Sequence, residues 1–115
     1  MRVIPFSDDY SQAWDNFVRE NPDSTVYHYS MWLNLFRDIF GYKQKGFILI
    51  KNNDILGGIP LFEIKSFKQK RLVSIPFRDR GGMLIKDKVD FSFLFDKMAQ
   101  LLKEGDYQHL TIKQG

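Results

Sequence analysis

Between Lys43 and Ile75 the chain carries three apolar strand patterns joined only by turn chemistry, and this run constrains the fold more than any other feature. Phe47-Ile48-Leu49-Ile50 is a continuous apolar stretch, and Asn52-Asn53-Asp54 behind it is turn chemistry, so the next strand returns antiparallel as a hairpin. That return runs from Ile55 to about Ser66 with Gly57-Gly58 and Pro60 inside it. Such residues weaken a regular strand and mark a bulge or kink where another backbone or a ligand comes close. Phe67 to Lys70 makes the next turn, and Leu72, Val73 and Ile75 read as the end of a third, buried strand. The three strands form a meander.

Before the meander lie a short strand pattern, Val3 to Phe6, and two helical ones. Ser7, Asp8 and Asp9 are N-cap candidates, with Gln12 three residues after Asp9 in capping-box position. Tyr10, Ala13, Trp14, Phe17 and Val18 then fall on one face of an amphipathic helix that Asn21-Pro22 stops. A second helix is expected to be capped by Ser30 and closed by Gly41, with Trp32, Leu35, Phe36, Ile39 and Phe40 as its apolar stripe. His28 and Tyr29 sit at the mouth of the turn between these helices. No carboxylate or hydroxyl at a recognisable spacing orients His28, so it reads as a packed, hydrogen-bonded histidine.

After the meander, Met83 to Ile85 offers a short strand, and Asp87 to Asp90 cap chemistry for a third helix through Lys103. Phe91, Leu94, Phe95, Met98, Leu101 and Leu102 give its stripe, and Gly105 its stop. His109 to Lys113 reads as a last strand, which the intervening helix allows to lie parallel to an earlier neighbour. The predicted class is α+β in the order β-α-α-β-β-β-α-β, a mainly antiparallel mixed sheet with helices packed on it. At 115 residues this is one domain, residues 1–115, able to bury roughly two thirds of the surface its unfolded chain exposes. Eleven Phe within a 16% aromatic content point to a core or cleft filled by rings.

Composition removes several chemistries. With no cysteine there is no disulfide, zinc-thiolate site or thiol nucleophile, and His28 and His109 are too far apart in sequence to suggest a metal site. The N-terminus has no apolar leader pattern, and the longest aliphatic run is too short to span a bilayer, which leads to the expectation of a cytoplasmic protein. Charge is uneven along the chain. Residues 1–38 carry 3 basic and 6 acidic side chains, residues 39–88 carry 11 and 4, and residues 89–115 carry 3 and 4. The basic middle suits an anionic partner such as a phosphate-bearing substrate. It equally suits lysines that solubilise turns and protect sheet edges.

The strand around Leu72 runs into Pro76, which ends its ladder, and then into Phe77, Arg78, Asp79, Arg80, Gly81 and Gly82. Rings, guanidinium groups and paired glycines make this a candidate substrate loop, although Gly81-Gly82 precedes a strand rather than the helix a phosphate cradle needs.

Several short patterns occur together in order: Phe17-Val18 with Pro22, Tyr27-His28 with Trp32, Phe40-Gly41, Gly57-Gly58 with Pro60-Leu61, Lys65-Ser66, and Leu72-Val73-Ser74 with Pro76-Phe77, Asp79 and Gly81-Gly82. Their order and spacing, from Trp14 to His109, resemble the N-terminal half of the FemAB-type, GNAT-like acyltransferases. That family includes peptidoglycan interpeptide-bridge aminoacyltransferases and related cell-envelope acetyltransferases. The resemblance implies a GNAT-like half module, the first of two in longer relatives, in which the second module supplies the acyl donor and much of the cleft. It implies the substrate side of an N-acyl transferase acting on an amine of a cell-envelope precursor, incomplete as an enzyme alone. Tyr29, Trp32, Phe77, Arg78, Asp79, Arg80, Gly81 and Gly82 would then line one wall of the substrate cleft. No catalytic residue is assigned: Asp79 is a candidate base, but pairing with Arg78 or Arg80 is the commoner fate of such a residue. Acyl-CoA or aminoacyl-tRNA is the donor in relatives, with neither held by this half, and no metal is implied. The expected partners are a second GNAT-like module or a homodimer partner, and an anionic small-molecule or envelope precursor.

A different class of function stays open, a noncatalytic binding or assembly module. Its basic, aromatic face, with Lys65, Lys68, Lys70 and Arg71 around Phe67, would dock a partner chain or RNA, but a single stacking ring makes nucleic acid the weaker partner.

Overall fold

In the computed structural model, residues 2–66, 69–74, 82–86, 92–105, 107 and 109–111 are described. Strand β1 is Arg2–Pro5. A 3-10 turn, Asp8–Tyr10, follows, capped by the Ser7 side chain, which accepts from the Asp9 N–H. Helix α1, Ser11–Glu20, then buries Trp14 and Val18, as its stripe predicts, and ends at Asn21. A second 3-10 turn, Val26–His28, leads into α2, Ser30–Phe40, which closes on Gly41 in the left-handed region at φ 70°.

Ser30 does not cap its own helix. It is the first residue of α2, and Asp15 on α1 accepts both its N–H, at 2.7 Å, and its hydroxyl, at 2.6 Å. A carboxylate at a helix N-terminus satisfies an orphan donor and meets the positive end of the dipole, so α1 caps α2. The expected stripe of α2 also needs correction. Leu33 and Phe36 are the buried pair, whereas Ile39 and Phe40 are exposed and Leu35 lies at the exposed margin.

The first two expected meander strands are each interrupted once. The first is β2 (Lys43–Gln44) and β3 (Phe47–Lys51), the second β4 (Asp54–Ile59) and β5 (Phe62–Lys65); the third is β6 (Lys70–Val73), and the short strand expected at Met83 to Ile85 is β7 (Leu84–Ile85). The β3–β4 hairpin turns on Asn52 and Asn53, both at positive φ, which asparagine tolerates better than most residues. The two interruptions face each other. Pro60 has no N–H for the ladder, and the Gln44 carboxamide oxygen accepts instead from Gly46 N–H at 2.7 Å and Leu61 N–H at 3.1 Å. The breaks divide the strands between two four-stranded sheets, in the orders β1-β3-β4-β7 and β2-β5-β6-β8, where β8 is His109–Thr111.

Every described pairing is antiparallel except β6 with β8. That parallel neighbour is what a helix between Ile85 and Leu110 permits, and α3, Ser92–Gly105, supplies it. Ile48 and Ile50 belong to a core with Trp14, Val18, Leu33, Phe36 and Phe62 beneath α1 and α2. By strand alternation Leu49 faces the other way, and it too is fully buried, because α3 packs on β3 and β1. Met98 of α3 joins Ile59 and Leu61 in a second apolar cluster. The predicted cap at residues 87–90, Phe91, and the ends of the last strand at Ile112 and Lys113 lie outside the described residues.

Candidate functional site

Gly57 and Gly58 explain how closely this molecule is packed beside the candidate site. A Cβ on Gly58 would lie 2.6 Å from the Trp14 ring, and one on Gly57 would lie 2.7 Å from Ile85 Cδ1. The close approach expected at these glycines is therefore made by the protein's own indole and by β7. Trp14 is held there by its Nε1–H, which donates to the His28 carbonyl at 2.7 Å, and by the Phe6 ring, which meets it edge-on at 4.8 Å.

The His28 carbonyl belongs to the connection between α1 and α2, and that connection is fastened to the end of the candidate loop. The Thr25 N–H donates to His28 Nδ1 at 3.0 Å, which leaves the proton on Nε2 to donate to the Gly82 carbonyl at 3.0 Å. Three residues past Gly82, the Ile85 carbonyl accepts from the Asn21 Nδ2–H at 3.1 Å. His28 is thus the packed, hydrogen-bonded histidine expected. Its burial disfavours the charged form and holds its pKa below the usual histidine value, against the opposing pull of the two backbone contacts. Asn21 does more than stop α1, a role that its place before a proline does not reveal.

Of the sequence-predicted site residues, Gly82 is brought to the N-terminal end of α2, one residue from Tyr29 through the His28 link. Tyr29 is half-buried against the main core, and Trp32, one helical turn on, packs edge-on against Tyr27 with ring centroids 5.2 Å apart. Phe77, Arg78, Asp79, Arg80 and Gly81 lie outside the described residues, as do Ile75, Pro76, Phe67 and Lys68.

The sheet gives this region a second boundary. β8 lies parallel to β6 with Arg71 opposite His109, Leu72 opposite Leu110 and Val73 opposite Thr111. The carboxyl ends of parallel neighbours, where the chain leaves in different directions, are the usual ligand crevice of such sheets. Among the described residues, β6 is followed by Ser74, which is fully buried, and β7 pairs at Leu84 with Gly58. Gly82, pinned by His28, lies between them in the chain.

Two other polar arrangements lie apart from it. A crevice of about 60 Å³ is floored by Phe6, Trp14 and Leu33 and edged by Asp8, Ser30, Asn34, Arg37 and Gln44. That is room for roughly two waters, and neither Tyr29 nor Trp32 lines it. Arg37, the single cation on the Trp32 helix, is engaged at its edge with Asp8 at 3.2 Å and Asp38 at 3.0 Å. On β5, Glu63 accepts from the Tyr107 hydroxyl at 2.7 Å, and Lys70 Nζ sits 4.0 Å from that carboxylate and 4.6 Å from the Tyr107 ring centroid. Burial alone would raise the Glu63 carboxyl, but the Tyr107 hydrogen bond and Lys45, Lys43 and Lys70 bring it below the ordinary value. Burial and Glu63 together push the Tyr107 hydroxyl upward. Tyr107 stays protonated and latches the α3–β8 connection to the sheet. Sequence reading missed this pair, whose members are far apart in the chain.

Among the described residues no group of three metal-binding side chains is present, and no helix is long and apolar enough to cross a membrane.

No family model matches the chain, and no curated protein matches it by sequence. Solved structures do. Ribosomal-protein-alanine N-acetyltransferase from Brucella melitensis biovar Abortus 2308 superposes with a TM-score of 0.66 at 7% identity, over 100% of this chain and 81% of that one. FemX superposes with a TM-score of 0.55 at 16% identity, over 90% of this chain and 24% of FemX. The chain shares the fold of these two proteins, the GNAT-like fold that the resemblance in its sequence implies.

Proposed function

We propose that this chain forms the substrate side of an N-acyl transferase whose acceptor is an amine of a cell-envelope precursor and whose donor is an acyl-CoA or an aminoacyl-tRNA. In that reaction the amine nitrogen attacks the acyl carbonyl, a C–N bond forms, the thioester C–S or ester C–O bond breaks, and the amine loses a proton. The protein's part is to position the two reactants, to donate hydrogen bonds to the carbonyl oxygen and to accept the proton.

The observation that carries the reading is the parallel pairing of β6 with β8, in a fold shared with two acyltransferases. Tyr29, Trp32 and Gly82, with Phe77 to Gly81, are the residues assigned to the acceptor wall. The His28–Gly82 hydrogen bond positions that wall. A second GNAT-like module or a second copy supplies the donor side. FemX, of which this chain accounts for 24%, supports a further module.

The test is a titration of the purified chain with a soluble peptidoglycan peptide bearing a free amine, beside an assay of thiol release from acetyl-CoA with the same peptide. Binding of the peptide, weakened roughly tenfold (about 1.4 kcal/mol) by Trp32→Ala, is expected, with little thiol release. Thiol release by the chain alone in the range of about 1–10³ s⁻¹ would confirm acyl transfer and overturn the half-site. Absence of both binding and transfer would overturn the whole reading.

A further inference from the structure

Three polar side chains around the crevice between α1 and α2 keep hydrogen-bonding capacity that the described residues do not use. Gln44 accepts through Oε1 from the Gly46 and Leu61 N–H groups, so its carboxamide is fixed with Nε2–H2 left to donate. Arg37 donates through Nε to Asp38 and through Nη1 to Asp8, which leaves Nη2. Asn34, three residues before Arg37 on α2, makes no hydrogen bond among the described residues. All three line the crevice with Phe6, Trp14 and Leu33 as its floor. It is therefore apolar below, and its rim offers donors and an acceptor.

The charges at that rim decide what kind of group it takes. Arg37 already holds two carboxylates, Asp8 at 3.2 Å and Asp38 at 3.0 Å. A ligand anion would have to displace one of them, and a ligand cation would meet the positive charge of Arg37 itself. A neutral group disturbs neither pair. Size narrows the choice further, because about 60 Å³ is room for roughly two waters. That admits a methyl and the carbonyl next to it, with the rest of the molecule left in solvent. The methyl suits the floor of rings and leucine. The carbonyl oxygen accepts from Gln44 Nε2–H or Arg37 Nη2–H, and an adjoining N–H donates to Asn34 Oδ1. A methyl, a carbonyl and an N–H in a row, without charge, are an acetamide.

We propose that this crevice is a recognition site for an acetamido group, CH3–CO–NH–, carried by an N-acetylated sugar or an N-acetylated peptide. Neither Tyr29 nor Trp32 lines it, so the site stands apart from the acceptor wall and does not depend on the acyl-transfer reading. With so few ligand atoms enclosed, the expected Kd is on the order of 1–10 mM.

The experiment is an NMR titration of the purified chain that follows the side-chain amide signals of Asn34 and Gln44 and the Leu33 methyls. The probes are N-acetylglucosamine, N-acetylalanine amide, glucosamine and sodium acetate. Both N-acetylated probes are expected to shift these signals to saturation. Glucosamine lacks the acetyl group and acetate lacks the N–H, and both are charged, so neither should do so. Saturation by one N-acetylated probe alone supports the site and identifies its source as sugar or peptide. Asn34→Leu removes the carboxamide and sets an aliphatic chain at the rim, and it is expected to weaken binding roughly tenfold; circular dichroism verifies that it is folded. Signals unmoved by either N-acetylated probe, acetate or glucosamine binding as well as they do, or unchanged affinity in folded Asn34→Leu would each overturn the proposal. The wild-type titration decides the matter even where the variant does not fold.

Discussion

Helices α1 and α2 lie on the same side of the sheet and are of nearly equal length, ten and eleven residues, yet they are fitted to it in opposite ways. Helix α1 points the large residues of its apolar stripe inward, with only Ala13 exposed: Trp14 and Val18 are 1% and 0% exposed, Trp14 rests on a strand cleared of side chains by Gly58, and its one polar atom is hydrogen-bonded. Helix α2 is held at its N-terminus by Asp15, but its buried core contact is a narrow pair, Leu33 and Phe36, while Met31 and Ile39 face outward. The difference separates two uses of hydrophobic residues. Those on α1 stabilise the fold. Met31 and Ile39 on the outer face of α2, about two-thirds exposed, contribute little to the folded monomer.

The largest effect expected is at Trp14. Truncation to alanine removes the ring from between Phe6, Phe17 and the Gly58 backbone and leaves the His28 carbonyl without its donor. Loss of a large buried ring costs about 3–5 kcal/mol. Urea unfolding of Trp14→Ala checks this, and a loss below about 1 kcal/mol would mean that α1 is no better anchored than the outer face of α2.

The next effect lies in the connection between the helices. His28 accepts at Nδ1 from the Thr25 N–H and donates from Nε2 to the Gly82 carbonyl. A second proton on the ring would set an N–H against an N–H. Because burial lowers the folded-state pKa below the unfolded value near 6.5, the unfolded chain binds more protons in the acid range. This contribution to stability is complete above pH 6.5 and is lost as pH falls through the folded pKa. Replacing His28 by leucine leaves the buried Gly82 carbonyl and the part-buried Thr25 N–H without this partner and costs about 1–3 kcal/mol at pH 7.5. Urea midpoints for wild type and His28→Leu at pH 7.5 and 5.5 are expected to lie closer together at the lower pH. A gap that does not narrow would remove His28 as the source.

Much of the fold was legible because it rests on local chemistry. The stripe of α1, Gly41 at positive φ, and the Asn52-Asn53 hairpin follow from residue spacing and backbone tolerance alone. The parallel last strand follows from the length of an intervening helix. What was illegible depends on contacts across the chain. Asp15 rather than Ser30 caps α2 because a carboxylate fifteen residues away, brought there by packing, reaches its first N–H. The stripe of α2 was misread because a helix carrying apolar residues on nearly every side fits more than one inward face, and only the sheet decides among them. In the candidate site, Tyr29 and Trp32 could be named from sequence, but the link from His28 to Gly82 spans 54 residues and leaves no local signature.

The smallest effect is the one that divides α2 within itself. Leu33 and Ile39 are both aliphatic residues of the same helix, 4% and 68% exposed. Truncating Leu33 to alanine opens the core and costs about 2–5 kcal/mol. Ile39→Ser removes a side chain that is already mostly in water, and serine differs little from isoleucine in helix propensity. Its expected cost is within about 0.5 kcal/mol, measured by urea unfolding. A large loss would show that Ile39 belongs to the fold after all, and the contrast between the two faces of α2 would disappear.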